Sequence, residues 1–114
     1  MSVAALCPPV VRGPWSGLED VLREFNFHTC VALGGQLLFA EYDVDGYEGS
    51  SLVVWIDAAG ELWEANSSHC SCNGLEWLPE KTTFAALLTR AEISRDKGVC
   101  AMLTRIYEAA NTTA

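Results

Sequence analysis

The stretch Ser51-Leu52-Val53-Val54-Trp55-Ile56-Asp57 decides the fold, together with the residues that follow it. It is rich in β-branched and aromatic side chains, which favour a strand. Ala58-Ala59-Gly60 then predicts a turn, and Glu61 to Asn66 predicts a returning strand. In the simplest register of this hairpin Trp55 opposes Trp63, which is a stabilising aromatic pair across two strands.

A second hairpin is predicted upstream of the first one. The runs from Phe27 to Leu33 and from Gln36 to Asp43 both favour strands, and Gly34-Gly35 lies between them. Paired glycines suit a tight turn because its central residues take positive φ angles. The loop from Asp45 to Ser50 then joins the two hairpins. We therefore expect a four-stranded antiparallel meander.

Helices are predicted on both sides of the meander. Ser16 has the pattern of an N-cap, with Glu19 three residues later as its capping-box partner, so a first helix is expected over residues 17–26. Thr82-Thr83 and then Ser94 predict the starts of two further helices. Their apolar faces are expected to be Phe84, Leu87, Leu88 and Ala91 in one, and Val99, Met102, Leu103, Ile106 and Tyr107 in the other.

The predicted element order, α-β-β-β-β-α-α, defines an α+β fold with two layers, helices on an antiparallel sheet. Residues 1–114 are expected to form a single α+β domain, in which residues 1–15 are an extended lead-in rich in proline. The segment 67–81 is expected to be an irregular connection. Connections of that length often carry function.

Composition excludes several classes of protein. Half the residues are apolar and the formal net charge is −8, so the chain can build a core and presents an acidic surface. Such a surface repels phosphate groups, so direct nucleic-acid binding is not expected. The start of the chain lacks the pattern of a signal peptide, and no apolar run is long enough for a membrane span. We expect a soluble, cytoplasmic protein with no membrane contact, and homo-oligomerisation stays open.

The cysteines and histidines suggest a metal site. The chain has five cysteines, and the segment His69-Cys70-Ser71-Cys72 concentrates three soft ligands. A second pair, His28 and Cys30, lies on one face of a predicted strand because residues two apart point the same way. If the long connection folds back over the sheet, Cys70 and Cys72 join them as the four ligands that zinc prefers. Zinc is therefore the cofactor that the sequence leaves open.

Two other interpretations of this cluster stay open. Cys30 suits a small buried side chain, and the H-C-S-C segment suits a tight turn. Alternatively, Cys70 or Cys72 is a nucleophile with His28 or His69 as its base, because a nearby imidazole favours the thiolate. No spacing typical of a thiol-enzyme family supports that alternative. We expect a protein without catalytic residues.

The loop after the second predicted strand is acidic. Asp43-Val44-Asp45-Gly46 opens like a calcium loop but lacks the later acidic ligands. With Tyr47 and Glu48 it predicts either an ordinary solvated turn or an acidic patch that meets a basic protein surface.

The segment from His69 to Glu80, H-C-S-C-N-G-L-E-W-L-P-E, resembles a motif in a family of small uncharacterised proteins from bacteriophages and bacteria. The preceding part is similar as well, namely Tyr42-Asp43 to Gly49, Leu52 to Ile56 and Leu62 to Asn66. The resemblance implies a phage or bacterial cytoplasmic setting. It also implies a small accessory protein that binds and modulates a host or phage protein. On this hypothesis the binding residues are Asp43, Asp45, Tyr47, Glu48, His69, Asn73, Glu76 and Trp77.

Overall fold

The computed structural model describes residues 10–24, 36–46, 48–69 and 78–112. Within these ranges the chain forms a mixed sheet of five strands and four helices, which confirms an α+β architecture. The elements, in chain order, are β1 (Val10–Arg12), α1 (Leu18–Glu24), β2 (Gln36–Asp45), β3 (Glu48–Ile56), β4 (Leu62–His69), β5 (Pro79–Lys81), α2 (Phe84–Leu88), α3 (Ala91–Ser94) and α4 (Lys97–Thr112).

The central hairpin, β3 and β4, has the predicted register. Trp55 pairs with Trp63, and their rings stack with centroids 6.2 Å apart and 6° between the planes. Asp57 holds the turn, because its carboxylate accepts hydrogen bonds from the backbone N–H of Ala59 and of Glu61, both at 2.9 Å. The hydrogen bond from the Trp63 indole, followed by these backbone bonds, lowers the pKa of Asp57.

The predicted strand count and order were wrong. The sheet has the order β1-β2-β3-β4-β5, with β1 parallel to β2 and the other described neighbours antiparallel. β1 lies in the expected lead-in, and β5 lies in the expected irregular connection. Both have three residues, too few to show an alternating pattern. The predicted strand 27–33 and the Gly34-Gly35 turn lie outside the described residues.

Gly13 explains how the chain leaves β1. It has a φ of 81°, which side-chain-bearing residues rarely adopt, and a Cβ there would collide with the Tyr42 carbonyl oxygen. Glycine therefore allows the chain to turn while lying directly against β2.

The sheet is covered on both faces, so the two-layer prediction was also wrong. On one face Leu52, Val54 and Ile56 of β3 pack with side chains of α2, α3 and α4. On the other face Val53 and Trp55 pack with Trp15 and with Val21 of α1. Successive residues of β3 point to opposite faces, and those of its second half are all buried because both faces are covered.

The start of α1 differs from the prediction in its partner residue. Asp20, and not Glu19, accepts hydrogen bonds from the backbone N–H and the hydroxyl of Ser16, both at 2.7 Å. These bonds hold the pKa of Asp20 below its ordinary value. The described helix ends at Glu24, and the last predicted positions, 25–26, lie outside the described residues.

The C-terminal region forms three helices where two were predicted. Thr83 caps α2 as expected, since its hydroxyl accepts from the backbone N–H of Ala86 at 3.1 Å. Ser94 is the last residue of α3, and Asp96 instead caps α4 by accepting from the backbone N–H of Val99 at 3.0 Å. Three residues that were predicted to lie on buried helix faces are exposed. Leu88 is 36% exposed and Tyr107 is 50% exposed, and Ala91, the first residue of α3, is exposed as well.

Ion pairs join the sheet to the helices that follow it. One carboxylate, Glu64, is only 1% exposed and lies 2.6 Å from the Arg90 guanidinium. Burial alone would raise the pKa of Glu64, but hydrogen bonds from Arg90, Thr82 and Asn66 outweigh it and hold that pKa below its ordinary value. Among the described residues, three ion pairs tie the sheet to the region of α3 and α4, namely Arg12–Asp96, Glu41–Arg95 and Glu64–Arg90.

Candidate functional site

The end of the sheet at the β2–β3 turn adjoins two cavities lined mainly by polar side chains. We call it the distal end, and it comprises residues 41–50 without Tyr47, residues 66–69, and Glu92 and Arg95 at α3. Its two faces differ in chemistry. One faces α3 and is acidic, and the other carries aromatic rings and an imidazole.

The acidic face carries a row of carboxylates. Asp43 and Asp45 point to the same side of β2 as the buried Glu41, because residues two apart share a face. Asp45 pairs in register with Glu48 of β3, so two like charges stand directly opposite each other. All but Glu41 are exposed. Opposed like charges destabilise a sheet, and a cation bound between them would relieve the repulsion.

Glu41 is neutralised, and the rest of the row is not. The Arg95 guanidinium bonds to both oxygens of Glu41, at 2.7 and 2.8 Å. Among the described residues no lysine or arginine forms an ion pair with Asp43, Asp45 or Glu48. The distal end therefore presents net negative charge to solvent.

The basic side chains are largely committed elsewhere. All seven lysines and arginines belong to the described residues, and five of them form ion pairs with carboxylates that are described as well. Lys81 is an example, since its contact with Glu61 raises the pKa of the ammonium group. Few cations are left to screen the carboxylates of the distal end.

A polar cleft runs between this face and α3. It consists of two adjoining cavities of about 380 and 120 Å³, which share Ser50, Ser51 and Glu92 as lining residues. Serine hydroxyls, an amide and carboxylates can accept hydrogen bonds from an ammonium or guanidinium group. The other lining residues are Asn66, Ser67, Ser68 and Leu78 in the larger cavity and Glu41, Asp43, Leu52 and Arg95 in the smaller one.

The opposite face of the distal end holds a tyrosine and a histidine in contact. The hydroxyl of Tyr42 and Nε2 of His69 are 2.5 Å apart, and Trp15 packs on the tyrosine with ring centroids 5.1 Å apart. Gly49 lies beneath both rings. A Cβ at that position would lie 2.5 Å from His69 Nε2 and 2.9 Å from the Tyr42 ring, so only glycine leaves room for this contact.

The structure brings together only some of the predicted site residues. Asp43, Asp45 and Glu48 lie together on the acidic face. His69 ends β4 at the same end of the sheet but belongs to the opposite face, opposite Gly49. The other predicted binding residues, Tyr47, Asn73, Glu76 and Trp77, lie outside the described residues.

The predicted zinc ligands His28, Cys30, Cys70 and Cys72 also lie outside the described residues, so the zinc site stays a prediction. In the part of the chain that is described, no three histidine, cysteine or acidic side chains come together as metal ligands would. Cys100, the cysteine that is described, is half-buried and donates its thiol to the Ile93 carbonyl at 3.2 Å.

Sequence reasoning missed the residues that complete the cleft. Glu92 and Arg95 reach the sheet because α3 is a separate short helix, which the sequence pattern did not resolve. Ser50 and Asn66 are small polar residues on adjoining strands. Glu48 and Ser50 are two residues apart on one strand and therefore share a face, and this spacing was the signal that could have placed Ser50 beside the acidic row.

Fold and site together define a mixed α+β domain with an acidic, polar cleft at one end of its sheet. Comparisons with protein-family models, with curated proteins and with solved structures found no match to this chain. Within the described ranges, no helix combines the length and the apolar character needed to cross a membrane.

Proposed function

We propose that this chain is a non-catalytic protein-interaction module that binds a basic segment of a protein partner at the distal end. The observation that carries the proposal is the row of exposed carboxylates, in which Asp45 and Glu48 oppose each other without a neutralising cation among the described residues. A lysine or arginine of a partner supplies that cation. The adjoining cleft supplies hydroxyl and amide groups for its hydrogen bonds.

The chemistry favours a polypeptide partner over other classes. Nucleic acid and anionic lipid carry negative charge and are repelled by a surface of the same sign. A flexible basic segment can lay successive side chains along the row and into the cleft. Complementary charge of this kind acts mainly on the rate of association and on the choice of partner.

We further propose the biological setting that the sequence resemblance implies. The chain would be a small phage-type accessory protein of the bacterial cytoplasm, and its partner a host or phage protein. Zinc at His28, Cys30, Cys70 and Cys72 is a separate proposal, compatible with this role. Elemental analysis with a free-thiol count tests it, and one zinc per chain with three protected thiols, those of Cys30, Cys70 and Cys72, is the supporting result.

The test of binding compares two double variants with the same change in net charge. Asp45→Asn with Glu48→Gln removes the opposed charges, and Glu19→Gln with Glu80→Gln removes two exposed charges elsewhere. The probe is an arginine-rich peptide titrated into isotopically labelled protein at low salt, followed by amide chemical shifts. We expect the first variant to bind about tenfold more weakly, a loss of about 1.4 kcal/mol, and the control to match the wild type.

The same samples locate the site and identify the partner. The amide shift changes should concentrate at residues 43–50 and 66–69. A partner that immobilised wild-type protein retains from a host-cell extract should also be retained by the Glu19/Glu80 variant, and should not be retained by the Asp45/Glu48 variant. Equal weakening by both double variants would show a diffuse charge effect and would overturn the proposed site.

A further inference from the structure

One line of exposed residues on α4 has the pattern of a helix contact. Lys97, Ala101, Thr104 and Glu108 are spaced by four, three and four positions, so they form a stripe along the solvent side of the helix. The opposite side of α4 is buried against the sheet through Val99, Leu103 and Ile106, among others. Neither Lys97 nor Glu108 has an ion-pair partner within the described ranges.

An apolar groove borders this stripe at Thr104. It has a volume of about 300 Å³ and lies between α2 and α4. Leu88 and Tyr107 at its rim are 36% and 50% exposed, and Phe84 meets the Tyr107 ring edge-on at a centroid distance of 5.1 Å. Exposed apolar surface that adjoins a polar edge is typical of a surface that meets another protein.

We propose that this surface binds a second copy of the chain, with the two α4 helices antiparallel about a two-fold axis between Ala101 and Thr104. The positions of the charged residues favour a second copy as the partner. Lys97 and Glu108 lie at equal distances on either side of that axis, so each Lys97 meets the Glu108 of the other copy. A two-fold contact repeats every such pair, which is the requirement for a self-complementary surface.

The centre of the stripe suits close packing. Ala101 of one copy opposes Thr104 of the other, and both side chains are small, so the helix backbones can approach within the usual 8–10 Å range. A helix lying along the stripe also covers the rim of the groove at Tyr107. A parallel arrangement of the two helices would instead place like charges together.

The contact is short, which favours a reversible association over a permanent one. The 16 residues of α4 span about 24 Å. A contact of that length lies at the small end of specific interfaces. We therefore expect a reversible dimer that forms at micromolar to submillimolar concentrations and weakens with added salt.

Charge exchange across the axis tests the proposal, read by sedimentation velocity over a range of protein concentrations. Lys97→Glu alone and Glu108→Lys alone should each weaken dimerisation at least tenfold. The double variant should return it to near the wild-type value. The two positions are eleven residues apart, or about 16 Å along one helix, so rescue cannot come from a pair within one copy.

Mixing the two single variants gives a second readout, because a heterodimer of them restores both attractive pairs. Arg23→Glu and Glu19→Lys on α1 are the controls, with the same changes in net charge, and should leave dimerisation unchanged. A monomer at every concentration, or a double variant that dimerises no better than the single ones, would overturn the proposal. Because α4 carries no residue of the acidic row, the affinity for the arginine-rich peptide should stay at its wild-type value in these variants. Each of the two proposals can therefore be refuted without refuting the other.

Discussion

Replacing Arg90 by leucine is the most informative single change in this fold. Glu64 is 1% exposed, and its Oε1 receives the Arg90 guanidinium at 2.6 Å and the Asn66 amide at 2.5 Å. The variant removes the one cation that bonds to Glu64 among the described residues. It leaves the carboxylate buried in place between β4 and the helices.

A buried charge that loses its partner typically costs about 3–5 kcal/mol. The Arg90 side chain is 38% exposed, so water can follow into the space it leaves. We therefore expect the low end of that range, about 3 kcal/mol. A domain of this size has a free energy of unfolding of about 5–15 kcal/mol, so the loss is readily measured in urea by circular dichroism.

The dependence on pH separates this explanation from a simple loss of packing. In the wild type the pKa of Glu64 lies below its ordinary value of 4.5, so its stabilising contribution is present above that pH and is lost as the pH falls through the lowered value. Without Arg90, only the hydrogen bonds from Thr82 and Asn66 oppose the effect of burial, so the pKa of Glu64 rises relative to the wild type. As the pH falls, Glu64 of the variant is protonated and its unpaired buried charge is removed, so the destabilisation of the variant becomes smaller.

The free-energy difference between Arg90→Leu and the wild type should therefore be largest at pH 7 and narrow steadily towards pH 4. Arg23→Leu is the control, because Arg23 forms an exposed pair with Asp20 at 3.5 Å and exposed pairs contribute little. A loss below about 1 kcal/mol, or a difference that is constant with pH, would refute the argument that Glu64 is a charged, buried group held by Arg90.

Two further changes test local packing and capping. Gly49→Ala should destabilise the fold by about 1–3 kcal/mol and displace the His69 ring, seen as a change in its imidazole proton shifts, whereas Gly17→Ala, with no atom within 4 Å of the added methyl group, should leave those shifts unchanged. Thr83→Ala should cost about 1 kcal/mol in urea denaturation, because the backbone N–H of Ala86 loses its acceptor, while Thr83→Ser should retain most of the stability.

The central hairpin could be predicted from sequence because its signals are local. Trp55 and Trp63 face each other across a turn whose residues identify it, and Thr83 precedes an apolar run in the pattern of a helix cap. In each case the interacting groups are close in sequence. The unbroken apolar run from Leu52 to Ile56 is a sequence sign of a strand covered on both faces, and the two-layer prediction did not use it.

The missed elements depend on contacts between distant parts of the chain. β1 is a strand only because β2 lies beside it, and three residues near prolines carry no period of their own. Two helices were predicted here, one with Ala91 on its apolar face and one capped by Ser94. In the structure Ala91 and Ser94 instead begin and end the separate helix α3, and the Asp96 side chain caps α4.

The candidate site was predicted only in part, because some of its residues meet through contacts between distant parts of the chain. Asp43, Asp45 and Glu48 are close in sequence and flank one turn, so their clustering followed from a predicted loop. Glu92 and Arg95 join them only through the packing of α3 on the sheet, where Arg95 bonds to Glu41. No pattern in the sequence relates residues that meet through such a tertiary contact.

The parallel contact of β1 with β2 has a consequence for the order in which the chain folds. β2, β3 and β4 are joined by short turns, so they can pair as soon as they exist. β1 must wait until residues 13–35 close into a loop, and closing a longer loop costs more entropy. During synthesis β1 leaves the ribosome before β2, yet it is therefore placed only after β2, β3 and β4 have paired. Until β1 arrives, the edge of β2 at residues 39–41 lacks this partner, and an unpaired strand edge favours aggregation.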